Sequence, residues 1–255
     1  MVKILSIDNK DTPQILAAVN DFLLVYKPPR MHSAPERRSC GGESILGWCA
    51  ARYPEVALLP GRKEGEGGLL HRLDYETQGL MLIARSRTGM ESLLEQQREG
   101  RIMKEYSALA TKSEITLTSF PKETPIWPQE GNIEVPLRIE SAFRPYGIGR
   151  KAVRPVLTRG VKTIYSTEIL EICPLYDTDL PQCFSIKIRI CKGFRHQIRC
   201  HLTWLGLPIL NDSLYGGISF GKGLLALRAT SITFNDPSSG KESSFSIPPL
   251  RNGLI

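Results

Sequence analysis

The stretch Leu69-Leu70-His71-Arg72-Leu73-Asp74-Tyr75-Glu76-Thr77-Gln78-Gly79-Leu80-Met81-Leu82-Ile83-Ala84 decides how this chain is read. Two apolar runs, Leu69-Leu70 and Leu80–Ala84, flank a polar stretch, a pattern of strand, loop and strand. Buried backbone at both ends would hold the loop and present Arg72 and Asp74 at the mouth of a sheet. A guanidinium and a carboxylate two residues apart can act on a ligand there. They can equally form an exposed ion pair, which contributes little.

On the upstream side, Phe22–Tyr26 is an unbroken apolar run closed by Lys27-Pro28-Pro29, a buried strand stopped by prolines. Residues 30–43 read as a surface loop. Ser44 caps a helix over Ile45, Trp48 and Cys49 that ends near Pro54, and the glycines and charges of 60–68 read as a flexible approach to the loop. On the downstream side, Thr88-x-x-Glu91 forms a capping box before Met90, Leu93, Leu94 and Gln97, with Gly100 as the stop. A strand over Ile102–Ala110 follows and carries Tyr106.

Ile164–Ile172 and Cys183–Ile190 read as an antiparallel pair, the second with Phe184, Ile186, Ile188 and Ile190 alternating against polar residues. A helix over Arg195–Leu205, strands over Leu224–Ala229 and Ile232–Phe234, and a hairpin turn through Asp236–Gly240 complete the pattern. Strands that cluster with few helices between them predict an α+β fold rather than a βαβ array.

The composition fits this class. The chain has 255 residues, 41% hydrophobic and 23% charged, and 33 Lys+Arg against 26 Asp+Glu give a net charge of +7. Such a composition excludes disorder and coiled coil, and the absence of an ~18-residue apolar run excludes a membrane-spanning helix. No signal-peptide pattern opens the sequence, so a cytoplasmic protein is expected. The six cysteines include no CxxC pair and are expected as reduced thiols in or near the core. The basic balance favours a polyanionic partner.

A second stretch, Gly193-Phe194-Arg195-His196-Gln197-Ile198-Arg199-Cys200-His201, places Arg195 and Arg199 one turn apart if the helix begins at Arg195. Two cations at a helix start oppose its dipole, so an anion is needed: an RNA phosphate, or a protein carboxylate such as Asp74. A solvated basic face remains the plain alternative. His196 and His201 are five residues apart, off the i,i+4 spacing of two metal ligands on one helical face, so no metal site is expected.

Together these residues carry a resemblance. HRLDYETQGLMLIARS (71–86), KEYSALA (104–110) and GFRHQIRCHLTWLGLPILNDSLYGG (193–217), in that order, resemble the RluA-type pseudouridine synthases of rRNA and tRNA. Weaker matches at Val25–Pro28 and Phe234–Pro237 extend the likeness over about residues 20–250. It implies one pseudouridine synthase catalytic domain spanning 1–255, with no N-terminal S4-type domain. The implied fold is a central mixed, mostly antiparallel sheet with flanking helices and a catalytic cleft.

The implied activity is isomerisation of uridine to pseudouridine in structured RNA. By resemblance, Asp74 is the catalytic aspartate, Tyr106 the tyrosine that packs on the uracil, and Arg199 the basic residue that pairs with the aspartate. Arg72 is the arginine that enters the RNA stack, and Arg195, His196 and Gln197 fall in the block that contacts RNA. The family uses no metal or organic cofactor, and the expected partner of a monomeric chain is an rRNA or tRNA stem-loop. The chain departs from the family pattern at Gln78, Phe194, Asn211 and Arg228. Two rival readings are a catalytically silent RNA-binding or ribosome-assembly protein on this fold, and a metal-dependent hydrolase using His196 and His201.

Overall fold

A computed structural model describes residues 2–35, 44–113, 119–122, 135–157, 163–176, 180 and 182–250. Part of the loop expected over 30–43, residues 36–43 with Cys40, lies outside them. In chain order the elements are β1 (Val2–Ile4), β2 (Gln14–Ala18), β3 (Phe22–Lys27), α1 (Ile45–Ala50), α2 (Glu55–Leu58), β4 (Gln78–Ala84), α3 (Arg87–Glu99) and β5 (Met103–Thr111). Then come β6 (Leu137–Tyr146), β7 (Ala152–Val156), β8 (Tyr165–Leu175), β9 (Cys183–Ile190), α4 (Gln197–Trp204), β10 (Leu227–Asn235) and β11 (Glu242–Ser246). The fold is α+β, with a mixed, mostly antiparallel sheet and few helices. Among the described residues, no helix is long and apolar enough to cross a membrane.

The chain divides into two compact units, Met1–Glu105 with Arg228–Pro249, and Tyr106–Leu227 with Leu250–Ile255. In the first, β2, β3 and β4 pair antiparallel in sequence order. Both faces of β3 and β4 are buried, which is why each reads as a continuous apolar run rather than an alternating one. At one end β10 lies parallel to β4, with Arg228 opposite Gln78 and Ala229 opposite Gly79. Gly79 is required there, because its φ is +127° and a Cβ would stand 2.2 Å from the Ala229 carbonyl oxygen. The other end of β10 forms the expected hairpin with β11. Phe22, Leu24, Tyr26, Leu80, Leu82 and Phe234 belong to this unit's core, with Phe22 edge-on to Phe234 at 4.9 Å.

In the second unit β8 pairs antiparallel with β9 and with β6, and β6 with β7. The β8–β9 pair is the one expected; Ile186, Ile188 and Ile190 are buried, whereas Phe184, expected with them, is only partly buried and Cys183 is buried at the strand's start.

Several local expectations need correction. Leu69 makes only an isolated bridge to Ile83, so no strand precedes the 71–79 loop. The cap of α3 is Ser86, whose hydroxyl accepts from Gly89 N at 2.9 Å; Thr88 lies inside the first turn, and Glu91 pairs with Arg87 instead. The two strands expected on either side of residue 230 are one, β10, because it is long enough to serve two neighbours. Residues 60–68 are not a flexible approach. Hydrogen bonds from Gly68 N to Val56 O (2.7 Å) and from Ala84 N to Gly68 O (2.8 Å) tie them to α2 and β4. Of the described cysteines, Cys49, Cys183 and Cys200 are buried, but Cys173 is exposed.

Candidate active-site residues

The 71–79 loop is held by its backbone and by buried polar side chains around it. His71 is buried, and its Nε2 accepts from Leu82 N at 3.1 Å. Burial, with Lys104 and Arg62 nearby, pulls its pKa down to about 3, so the ring is a neutral acceptor that pins the loop's start to β4. Ser33 Oγ bonds both main-chain groups of Leu73, donating to its oxygen at 2.8 Å and accepting from its nitrogen at 3.0 Å. Thr77 N closes a turn on the Asp74 carbonyl at 3.1 Å. With Leu73 and Thr77 turned inward, Asp74 is left half-buried and Arg72 exposed.

Lys27 lies inside the unit with no exposed surface, its ammonium donating to the carbonyls of Pro28 (2.9 Å), Met31 (2.8 Å) and Tyr75 (3.2 Å). Burial pulls its pKa down to about 7, and the attraction of Asp74 pulls it partly back. One side chain thus ties the end of β3 to the residue after Asp74 and places positive charge near the carboxylate. Sequence reasoning passed over Lys27 as a strand end. No local signal marked it, because a lysine at the end of an apolar run ordinarily carries its ammonium out to water.

Two of the four departures sit in this unit and are partners. Gln78 Oε1 accepts from Arg228 Nη2 at 2.8 Å and Nε at 3.2 Å, and from the Tyr26 hydroxyl at 2.8 Å. Arg228 is 1% exposed and donates its remaining Nη1 to the Pro248 carbonyl.

In the second unit Tyr106 is buried in β5. Helix α4 begins at Gln197, not Arg195, because His196 takes a left-handed φ of +56° just before it. Arg195 therefore lies outside the helix, where its Nη2 donates to the Arg150 carbonyl at 2.9 Å, and the expected one-turn pairing of Arg195 with Arg199 does not occur. Gln197 is buried, with its amide nitrogen on Ser166 O and Thr167 Oγ1 and its amide oxygen accepting from Phe194 N. Its amide is committed to fixing the start of α4 against β8. His201 is likewise buried between Ser141 Oγ and Thr167 Oγ1, both at 2.8 Å, and burial holds its pKa near 3.

Arg199 makes a two-pronged ion pair with Asp212, Nε to Oδ2 and Nη2 to Oδ1, each at 2.7 Å and both residues buried. Asp212 is a partner that the sequence reading did not assign. Asn211 before it sits at φ +64°, a backbone region that asparagine tolerates next best after glycine, and its side chain bonds Leu224 O and Phe220 N. Gly217 closes this turn where a Cβ would meet the Ile209 oxygen at 1.9 Å. The hydroxyl of Tyr215 bridges Val153 N and O, and its ring lies 5.4 Å from the Arg199 guanidinium. Phe194, the remaining departure, stacks on Phe143 at 5.1 Å. Among the described residues, no three His, Cys, Asp or Glu cluster as metal ligands.

A sequence model of the family described as RNA pseudouridylate synthase matches residues 21–204. The chain is 28% identical, over 78% of its length, to the ribosomal large subunit pseudouridine synthase D of Haemophilus ducreyi, of which it covers 51%. It is 26% identical, over 92% of its length and 71% of the relative's, to YjbO of Bacillus subtilis, called an uncharacterized RNA pseudouridine synthase. It thus spans about half the length of the first of these relatives. In fold it is similar to human RNA pseudouridylate synthase domain containing 1, with a TM-score of 0.62 and 20% identity over 97% of this chain and 86% of that one.

Proposed function

Since the chain belongs to the RNA pseudouridylate synthase family, we propose that it isomerises uridine to pseudouridine in structured RNA, with Asp74 as the catalytic carboxylate. The relatives named for the large ribosomal subunit favour ribosomal RNA as the substrate. The observation that carries the assignment of Asp74 is its mounting. A half-buried carboxylate sits on a loop pinned through His71, Leu73 and Tyr75, the last by the buried amine of Lys27.

The reaction breaks the N1–C1′ bond, turns the base, joins C5 to C1′ and releases the C5 hydrogen as a proton. An Asp74 oxygen serves at the ribose, either by attacking C1′ or by taking a sugar proton while charge develops there. The target base must first leave its stack, and the exposed guanidinium of Arg72 suits the space it leaves. Tyr106 is proposed to give the freed uracil a stacking face, and Arg199 to supply positive charge in an orientation set by Asp212. The reading needs no metal or organic cofactor. Gln197 serves it indirectly, by holding the helix that carries Arg199.

The test is Asp74→Asn, close to isosteric and unable to act as nucleophile or base. Tritium release from RNA carrying 5-tritiated uridine should fall to background while filter binding and the melting temperature hold. Substantial release would overturn the assignment of Asp74. Loss of folding along with activity would show the residue to be a structural ion-pair member.

A further inference from the structure

Glu66 has a side chain only 7% exposed, and its two oxygens are met by different guanidinia. Arg72 Nη1 lies 3.5 Å from Oε1, and Arg62 Nε lies 3.9 Å from Oε2, which has no hydrogen-bond partner. The acid is fixed from behind by the turn that carries it. Glu66 N donates to Lys63 O, Leu69 N donates to Glu66 O, and Gly68 is bonded on both sides to Val56 and Ala84. Arg72 is the movable partner, its side chain 54% exposed at the rim of the loop two residues before Asp74. Among the described residues, Glu66 is the one polar group that meets this guanidinium.

An arginine that must enter an RNA stack otherwise loses its rotamer freedom on binding. A carboxylate held rigidly beneath it confines the side chain beforehand, and because the pair is single-pronged and loose, RNA can still draw the guanidinium outward. We propose that Glu66 is a positioning residue: it holds Arg72 extended over the loop and so sets how well the protein handles uridines in folded RNA. The inference rests on the proposed role of Arg72, and its test separates the two.

Turnover is measured on a hairpin with a stacked target uridine and on an unpaired oligonucleotide, for the parent protein, Glu66→Gln, Arg72→Ala and the double variant, each beside its melting temperature. Glu66→Gln should lower kcat/KM on the hairpin about fivefold, the range of a partly exposed ion pair. It should leave the oligonucleotide unchanged and add nothing in the Arg72→Ala background. Glu66→Asp, which keeps the charge, should recover part of the loss, and carries the same comparison if Glu66→Gln does not fold. Faster turnover of the hairpin by Glu66→Gln would mean that the acid competes with RNA for Arg72, and would overturn the proposal. So would equal effects on both substrates, or additive losses in the double variant. If Arg72→Ala itself slows both substrates equally, the role proposed for Arg72 fails first.

Discussion

Lys27 illustrates how much a single residue can hold. Its ammonium is satisfied by three carbonyls and drawn by Asp74, yet burial keeps its pKa near 7 against an ordinary 10.5. Between those two values the unfolded chain binds the proton and the folded chain does not. Stability from this group therefore rises with pH across the window, by at most about 1.4 kcal/mol per pH unit. Below pH 7 both states bind it, and its contribution is flat and at its least favourable. The buried thiol of Cys49, pushed up to about 12, opposes the rise once unfolded thiols begin to ionise. Urea unfolding of the parent and Lys27→Met between pH 6.5 and 8.5 isolates the lysine: the difference between the two free energies should grow with pH. Parallel profiles would show that Lys27 keeps its proton throughout.

Among the elements, β4 and β10 are joined by a cross-strand pair as well as by backbone. Gln78 and Arg228 lie opposite one another, and both depart from the pattern of the resembling family. The structure explains why they do so together: a buried guanidinium needs an acceptor, and the Gln78 amide oxygen takes two of its bonds. Gln78→Ser alone should cost roughly 2–3 kcal/mol by stranding those donors. Gln78→Ser/Arg228→His should cost less than its two parts summed, with a coupling of about 1–3 kcal/mol in a double-mutant cycle read from urea midpoints. Additive costs would mean that the two strands are held by backbone and packing alone. Helix α4 depends on similar long-range polar links, since Gln197 and His201 both bond β8 and neither link follows from helical periodicity.

On the scale of the whole chain, a net charge of +7 suits the polyanionic substrate proposed above. Each phosphate contacted by a lysine or arginine releases condensed counterions, so several contacts give a log–log salt slope of several units. RNA affinity should accordingly fall steeply between 50 and 200 mM salt in filter binding, conditions chosen to span the range where this effect is large. A flat response would exclude a basic RNA-binding face. The matched family region, 21–204, draws on both compact units, and for that reason we assign the proposed activity to the two units together rather than to the one carrying Asp74.

What the sequence determined by itself was whatever its near neighbours decide. The apolar run at Phe22–Tyr26, the Ser44 cap, the alternation along Cys183–Ile190 and the hairpin turn after Asn235 depend on residues a few places apart, and each is found in the structure. The 71–79 loop was legible in the same way, as polar sequence between apolar runs. Tertiary structure alone decided which polar groups became partners. Asp212 takes Arg199 from 13 residues away, Gln78 meets Arg228 across 150, and Ser33 reaches Leu73 across 40. It also decided that a lysine ends β3 wholly buried. The physical reason is common to all of these. Capping and alternation are set by local backbone geometry, whereas the cost of burying a charge or an amide is met by whichever group the fold brings to it, and nothing in the local sequence names that group.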